Sequence, residues 1–228
     1  MDIRAVAVDI DGTVTDMQKR LIWPGVEALR SIEAQGIPVI TATGNVMPVT
    51  KSFASFVGLS GPLVCENGGA VYAADLSARR LLQTRTRPDQ ALAHLRVVGL
   101  DARPLWSDPW RESEVALQLN LDETAVRKAL EGWDVQIVST RFAIHLMEPG
   151  LNKGAGLEAA LEYLPGSVRM SEVLAIGDAR NDVEMFQRCG ASAAVGNAQP
   201  EALAAAGFHA KGEYGVGVAE ALRHFGLV

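Results

Sequence analysis

One stretch near the start of the chain constrains everything that follows it. Arg4-Ala5-Val6-Ala7-Val8-Asp9-Ile10-Asp11-Gly12-Thr13 opens with an apolar, partly β-branched run that shows no polar alternation. That is the signature of a strand covered on both faces, as in a parallel sheet. The run stops at two carboxylates two residues apart, followed by a glycine that permits a sharp turn. In open α/β sheets, ligands bind beyond the carboxyl ends of the strands, so Asp9 and Asp11 stand where chemistry takes place. Asp-Gly is also an ordinary turn dipeptide, and alone the pair does not decide between a site and a solvated loop.

The rest of the N-terminal third repeats the strand-then-helix pattern. Pro24 to Gln35 spaces Val26, Leu29 and Ile32 as a helix does, with Pro24 suited to a first helical position and Gly36 to a stop. Ile37 to Ile40 is a second apolar run, and Thr41-Ala42-Thr43-Gly44-Asn45 leads into a helix over 46–57. Pro62 to Cys65 reads as a third strand. This alternation implies right-handed crossovers and a parallel sheet. Glu66-Asn67-Gly68-Gly69, set between Val64 and Val71-Tyr72, predicts a hairpin.

Between about Gln83 and Pro149 the character changes. Arginine becomes more frequent, and Trp106, Trp110 and Trp133 fall in this stretch. Helices over 89–98 and 124–131 and strands over 115–120, 135–139 and 142–147 make an α+β pattern with antiparallel strands. The three tryptophans are expected in the core of this segment rather than at a stacking surface. The earlier pattern then resumes, with helices over 153–163, 181–188, 200–206 and 216–225 and strands over 173–176 and 192–195. The fold class expected is α/β: a Rossmann-like parallel-sheet core from 1–82 and 152–228, interrupted by an α+β cap over 83–151.

Composition narrows the setting. A net charge of −6 and a pI near 5.3 argue against a nucleic-acid-binding surface, though a metal ion can reverse the sign locally for an anionic substrate. No apolar run approaches membrane-spanning length, and Met1-Asp2-Ile3 has no basic leader, so neither a membrane anchor nor a signal peptide is expected. Cys65 and Cys189 make no disulfide framework or zinc pattern and read as small core residues. A cytoplasmic protein is expected.

On a parallel sheet the strand ends gather polar residues along one edge. The first strand delivers Asp9 and Asp11, the second Thr43 and Gly44, and the strand at Val173 delivers Asp178, with Asn181 and Asp182 just beyond. Lys153 heads the helix after the insertion. Singly, Asp178 reads as a helix N-cap, Asp182 as a first-turn acid favoured by the helix dipole, and Lys153 as an exposed lysine. Together, the carboxylates repel one another and require a cation. Oxygen ligands without His or Cys suit Mg²⁺, which binds through few carboxylates, water and a substrate phosphate. Phosphoryl transfer then assigns roles. Asp9, at the strand tip, is the candidate nucleophile, forming an aspartyl-phosphate. Asp11 is the candidate acid and base. Thr43 and the Gly44 amide hold phosphate oxygens at a helix N-terminus, and Lys153 supplies positive charge to Asp9 and the phosphate.

The same residues resemble a known pattern. Asp9-Ile10-Asp11-Gly12-Thr13, Thr43-Gly44, Lys153 and Gly177-Asp178-Ala179-Arg180-Asn181-Asp182 are similar, in order, to the four motifs of the haloacid-dehalogenase-like phosphatases. They bracket nearly the whole chain. An insertion between the second and third motifs looks like the large α/β cap of the Cof-type subgroup. Gly44-Asn45-Val46, Glu66-Asn67-Gly68-Gly69, Trp110-Arg111-Glu112 and Asn152-Lys153-Gly154 look most like the archaeal phosphoglycolate phosphatases, related to sucrose-phosphate phosphatases. Asn45 stands where many Cof-type sequences carry arginine, which fits that branch better than the general sugar-phosphatase branch.

The resemblance implies Asp9 as nucleophile and Mg²⁺ ligand, and Asp11 as acid and base with its main-chain carbonyl on the metal. It also implies Asp178 and Asp182 on the metal side and Lys153 on the phosphate, with Thr43, Gly44 and Asn181 beside it. Spacing leaves open whether Asp182 binds the metal directly or orients its waters with Asn181. The expected function is Mg²⁺-dependent hydrolysis of a small organic phosphate, foremost 2-phosphoglycolate. A sugar-phosphate phosphatase or phosphomutase is the alternative within the superfamily, and an aspartate-phosphorylated signalling module the alternative outside enzymes. The acid at Asp11 weighs against the module, because a long-lived acyl phosphate gains nothing from a hydrolytic acid and base. A cap excludes water and selects the substrate, and Arg111 and His145 are its candidate contacts to a carboxylate-bearing substrate. The expected partner is a small phosphorylated metabolite, and the chain is expected to be a monomer or homodimer.

Overall fold

Strand β1 (Ala5–Val8) is buried along its whole length and sits at the centre of the main sheet. This computed structural model describes residues 2–228, so Met1 of the leader reading lies outside the described residues. After β1 come α1 (Trp23–Ala34), β2 (Val39–Ala42), α2 (Met47–Val57) and β3 (Leu63–Cys65). Pro38 is left just outside the strand it precedes, where its missing N–H removes no ladder bond. β1 pairs in parallel with β2, and β2 with β3. The expected hairpin forms next: β3 pairs antiparallel with β4 (Ala70–Tyr72), Val64 facing Val71, across a tight turn at Glu66–Gly68. β5 (Arg79–Leu81) extends it as an exposed edge strand that periodicity does not reveal.

The middle segment forms a second sheet. It contains α3 (Thr86–Val97), β6 (Val115–Leu117), α4 (Glu123–Ala129), β7 (Gln136–Ser139) and β8 (Ile144–Met147), with antiparallel strand order β6-β8-β7. Ala91 and Leu95 of α3 and Val126 of α4 pack on Val115, Leu117, Ile144 and Leu146. Side chains alternate along a strand, so Ala116 and His145, paired across β6 and β8, belong to the opposite face. The helices cover one face of this sheet, and the other looks onto the main sheet's strand ends. The tryptophans do not form this core. Trp106, Trp110 and Trp133 are 71%, 50% and 38% exposed, because aliphatic side chains already fill the space between helices and sheet.

The parallel pattern returns with α5 (Lys153–Ala160), β9 (Val173–Gly177), α6 (Val183–Arg188), β10 (Ala191–Ala194), α7 (Pro200–Ala205), β11 (Phe208–His209) and α8 (Tyr214–His224). The full order is β11-β10-β9-β1-β2-β3-β4-β5. Val6 and Val8 face a layer of α1, α2 and α8 through Leu29, Val57 and Leu222. Ala5 and Ala7 face α5, α6 and α7 through Leu157, Met185 and Ala202. Both faces of β1 are thus covered, which is why its residues need no polar alternation. Cys65 is buried and Cys189 partly so, and both are free thiols whose pKa burial pushes up to about 12. Among the described residues, no helix is long and apolar enough to cross a membrane.

Candidate active site

β1 and β9 run side by side, Val8 opposite Ile176, so both end on the same edge of the sheet. That register brings Asp9 to Asp178 and Asp182, 169 or more positions away in sequence, with carboxylate oxygens of all three within 4.8 Å of one another. Lys153, at the N-terminus of α5, joins them. Its Nζ donates to Asp9 Oδ1 and Asp182 Oδ1, each at 2.7 Å. All four side chains are buried.

Local conformation makes this proximity possible. Gly12 has φ +85°, and a Cβ there would sit 2.6 Å from Asp178 Oδ2. Only glycine allows both the turn and the approach of the acid. Thr13 Oγ1 donates to Asp178 Oδ1 at 3.0 Å. Asp182 Oδ2 accepts from the amides of Asp178 (3.0 Å) and Ala179 (2.9 Å), so it, rather than Asp178, caps the turn before α6. Asp178 Oδ2 accepts no well-aligned hydrogen bond.

Burial and three neighbouring acids push the Asp9 pKa well above the usual carboxylate range, against the pull of Lys153. Burial, then Asp182, lifts Asp178 to about 6, with Arg141 opposing. Lys153 is held firmly protonated: its burial is overcome by Asp182 and Asp9. One ammonium among these acids leaves an excess of negative charge. An oxygen-only donor set, closely spaced and with one buried oxygen unsatisfied, fits a hard divalent cation.

In front of the acids lies a cavity of about 100 Å³ lined by Asp9, Asp11, Thr43, Gly44, Asp178 and Asn181, among others. Asp11 receives Lys19 Nζ at 2.6 Å and Asn45 Nδ2 at 2.6 Å. Asn45 Nδ2 and its amide also donate to Thr43 Oγ1. Lys153 opens instead onto a second cleft, of about 690 Å³, that shares Asn181 with the first.

Arg111 and His145 do not line the smaller cavity. Arg111 is buried in an ion pair with Glu114 and donates to the Gly44 carbonyl at 3.2 Å. His145 Nδ1 lies 2.9 Å from Glu114 Oε1. Burial alone raises the pKa of Glu114, but His145 and Arg111 together hold it below its ordinary value. These groups join the insertion to the main sheet, together with Asn67, whose Nδ2 donates to Glu114 Oε2 at 3.0 Å. Glu66 completes the joint by accepting the amides of Glu112 and Ser113. Both Glu66 and Asn67 have positive φ; in the sequence they read as a turn and as part of the family resemblance, with no sign of a role in joining the two sheets.

The insertion reaches the cavity elsewhere, through the β7–β8 turn. Thr140, Arg141 and Phe142 line it, and Met17 and Lys19 line it from the loop after Asp11. Arg141 lies 3.2 Å from Asp178 Oδ2 and donates to the Asn197 carbonyl at 2.8 Å. Lys19 Nζ lies 4.5 Å from the centre of the Phe142 ring, a cation–π distance. Neither loop carries a motif, and no sequence signal marks Arg141 or Lys19.

Comparison with known proteins agrees with this geometry. The family model for haloacid dehalogenase-like hydrolases matches residues 6–98 and 119–222. A Methanothermobacter thermautotrophicus protein named phosphoglycolate phosphatase is 41% identical over 98% of this chain and 99% of its own length. An Archaeoglobus fulgidus protein of the same name is 35% identical over 99% of this chain and 98% of its own. The crystal structure of a Thermoplasma acidophilum protein superposes with a TM-score of 0.90 at 29% identity, covering both chains completely. A haloacid dehalogenase-like hydrolase from Bacteroides thetaiotaomicron gives 0.81 at 20% identity, over 98% of this chain and all of its own, a likeness of fold alone. With its acids gathered at adjoining strand ends and its full length matched, the chain belongs to the haloacid dehalogenase-like hydrolases.

Proposed function

We propose that the protein is a Mg²⁺-dependent phosphomonoesterase that hydrolyses 2-phosphoglycolate through an aspartyl-phosphate on Asp9. The observation that carries this reading is the Lys153 ammonium bridging Asp9 and Asp182 at 2.7 Å on each side. It fixes one carboxylate at a strand tip beside a cluster of acids that suits a cation. Asp9 and Asp178 would hold the Mg²⁺, with the Asp11 carbonyl, while Asp182 orders the loop behind them. When bound, the ion supplies positive charge to the phosphate oxygens and keeps Asp9 ionised.

In the first step an Asp9 carboxylate oxygen attacks phosphorus and the ester bond breaks. Asp11 gives its proton to the departing alcohol oxygen. In the second step water attacks phosphorus, Asp11 takes its proton, and the bond to Asp9 breaks to release phosphate. Lys19 and Asn45 hold the ionised Asp11 side chain at the cavity, the form that takes the proton from water in the second step. The Thr43 hydroxyl and Gly44 amide receive phosphate oxygens. Residues 83–151 act in this reading as a cap, with the β7–β8 turn excluding water.

The substrate assignment is supported by the names of the relatives matched over nearly their whole length, and the Lys19 and Arg141 cations in the cavity lining suit a small anionic ester. The test is phosphate release from glycolate, glycerate, hexose, nucleotide and sucrose phosphates with Mg²⁺. Fastest turnover of 2-phosphoglycolate, abolished by EDTA, is expected. Phosphosugar isomerisation with little free phosphate, or a phosphoprotein persisting for hours, would refute the reading.

A further inference from the structure

We propose that Arg141, in the turn between β7 and β8, selects the leaving group: its guanidinium receives a carboxylate carried by the alcohol portion of the ester. This rests on the phosphatase reading above and names the residue behind its substrate preference. Arg141 and Lys19 are the cationic residues that line the smaller cavity. Lys19 is committed to Asp11 at 2.6 Å and to the face of Phe142. Arg141 is less committed. Its hydrogen bonds go to the Met17 sulfur (3.2 Å) and the Asn197 carbonyl (2.8 Å), which take two of five N–H donors. Its contact with Asp178 reaches the oxygen that accepts no well-aligned hydrogen bond.

The other arginines of the insertion that face inward are spoken for. Arg85 donates to both oxygens of Asp108, and Arg111 is sealed against Glu114. Arg141 is also in the right place. It adjoins Asp178, one of the acids grouped with Asp9, and so lies beside the phosphorus rather than remote from it. Met17 and Phe142 flank it with apolar surface that suits one or two carbons between phosphate and carboxylate. A planar guanidinium pairs with a carboxylate through two parallel hydrogen bonds, a geometry that lysine does not reproduce.

The test compares 2-phosphoglycolate with 2-hydroxyethyl phosphate, which has the same length but no carboxylate. Kinetics with Mg²⁺ are measured for the wild-type chain, Arg141→Gln and Arg141→Lys, with thermal melting to confirm that each variant folds. Arg141→Gln is expected to lower kcat/KM for 2-phosphoglycolate by about tenfold to a hundredfold, chiefly through KM. Because Arg141 also touches Asp178, some loss is expected on both esters, but kcat/KM for 2-hydroxyethyl phosphate should fall by at least about fivefold less than that for 2-phosphoglycolate. Arg141→Lys should recover part of the loss, since it restores charge without the planar fork. Equal losses on both substrates, or a loss confined to kcat, would overturn the proposal while leaving the phosphatase reading intact. A wild-type chain that hydrolyses neither ester would overturn both.

Discussion

Asn67 Oδ1 accepts a hydrogen bond from Asn181 Nδ2 at 2.9 Å, while the other end of the Asn67 amide touches Glu114 and His145 of the insertion. A single side chain therefore ties the loop that carries Asp178 and Asp182 to the buried charges of the second sheet. Asn67→Ala leaves the Glu114 carboxylate short of a donor and places alanine at φ +55°. We expect a loss of about 2–3 kcal/mol of stability and of about tenfold in kcat/KM through misplaced groups. Urea denaturation and steady-state kinetics check this; a variant as stable and active as wild type would show that the joint is incidental.

If the acids hold Mg²⁺ as proposed, stability depends on metal and pH together. Asp178 is raised to about 6 in the metal-free protein by burial and Asp182. A folded pKa above the unfolded value means that the folded state binds the proton more tightly. The resulting stabilisation is present below the unfolded pKa, near 4, and is lost as pH rises through about 6. Asp9 shifts in the same direction. Mg²⁺ competes with these protons, so the rise in Tm on adding Mg²⁺ should be small near about pH 5 and larger near about pH 7.5. Differential scanning fluorimetry reads this directly. An equal rise at both pH values would mean that the cation binds elsewhere.

Lys153 balances two buried carboxylates, and Lys153→Met removes that balance. Losing one partner of a buried ion pair costs about 3–5 kcal/mol, so the metal-free variant should melt well below wild type. Phosphatase activity should fall by at least about a hundredfold, because the contact that fixes Asp9 for attack is lost. Unchanged melting would contradict the buried bridge at 2.7 Å.

Gly12→Ala tests the close approach behind the proposed metal site. The new methyl would lie 2.6 Å from Asp178 Oδ2 at a φ of +85°, so either the turn or the carboxylate must move. We expect Mg²⁺ affinity, by isothermal titration calorimetry, to weaken by about tenfold or more. Wild-type affinity would place the ion away from Asp178.

What sequence reveals here follows the backbone. Unbroken apolar strands and helical periods determine which segments are parallel neighbours, and the carboxyl ends of such strands share an edge. Asp9, Asp11, Thr43, Asp178 and Lys153 are therefore legible as a group before any coordinates. Arg141 and Lys19 are not, because both sit in turns that carry no motif, and the direction of the Arg141 turn depends on how the second sheet docks. Arg111 and His145 show the opposite failure. They are the right residue types on the right segment, yet strand alternation and the buried Glu114 turn them into a structural joint. The exposed Trp106 and Trp110 show that residue type alone does not decide burial once aliphatic side chains fill a small core.

Rapid acid quench shows whether Asp9 carries the phosphoryl group. Full-length protein with Mg²⁺ and 2-phosphoglycolate is quenched within one turnover, digested and sequenced by mass spectrometry, alongside Asp9→Asn. One added phosphoryl group is expected on the peptide containing Asp9, located to that residue and missing in Asp9→Asn, which should also release no phosphate. Steady phosphate release by Asp9→Asn, or a phosphoryl group found on another residue, would contradict that role for Asp9.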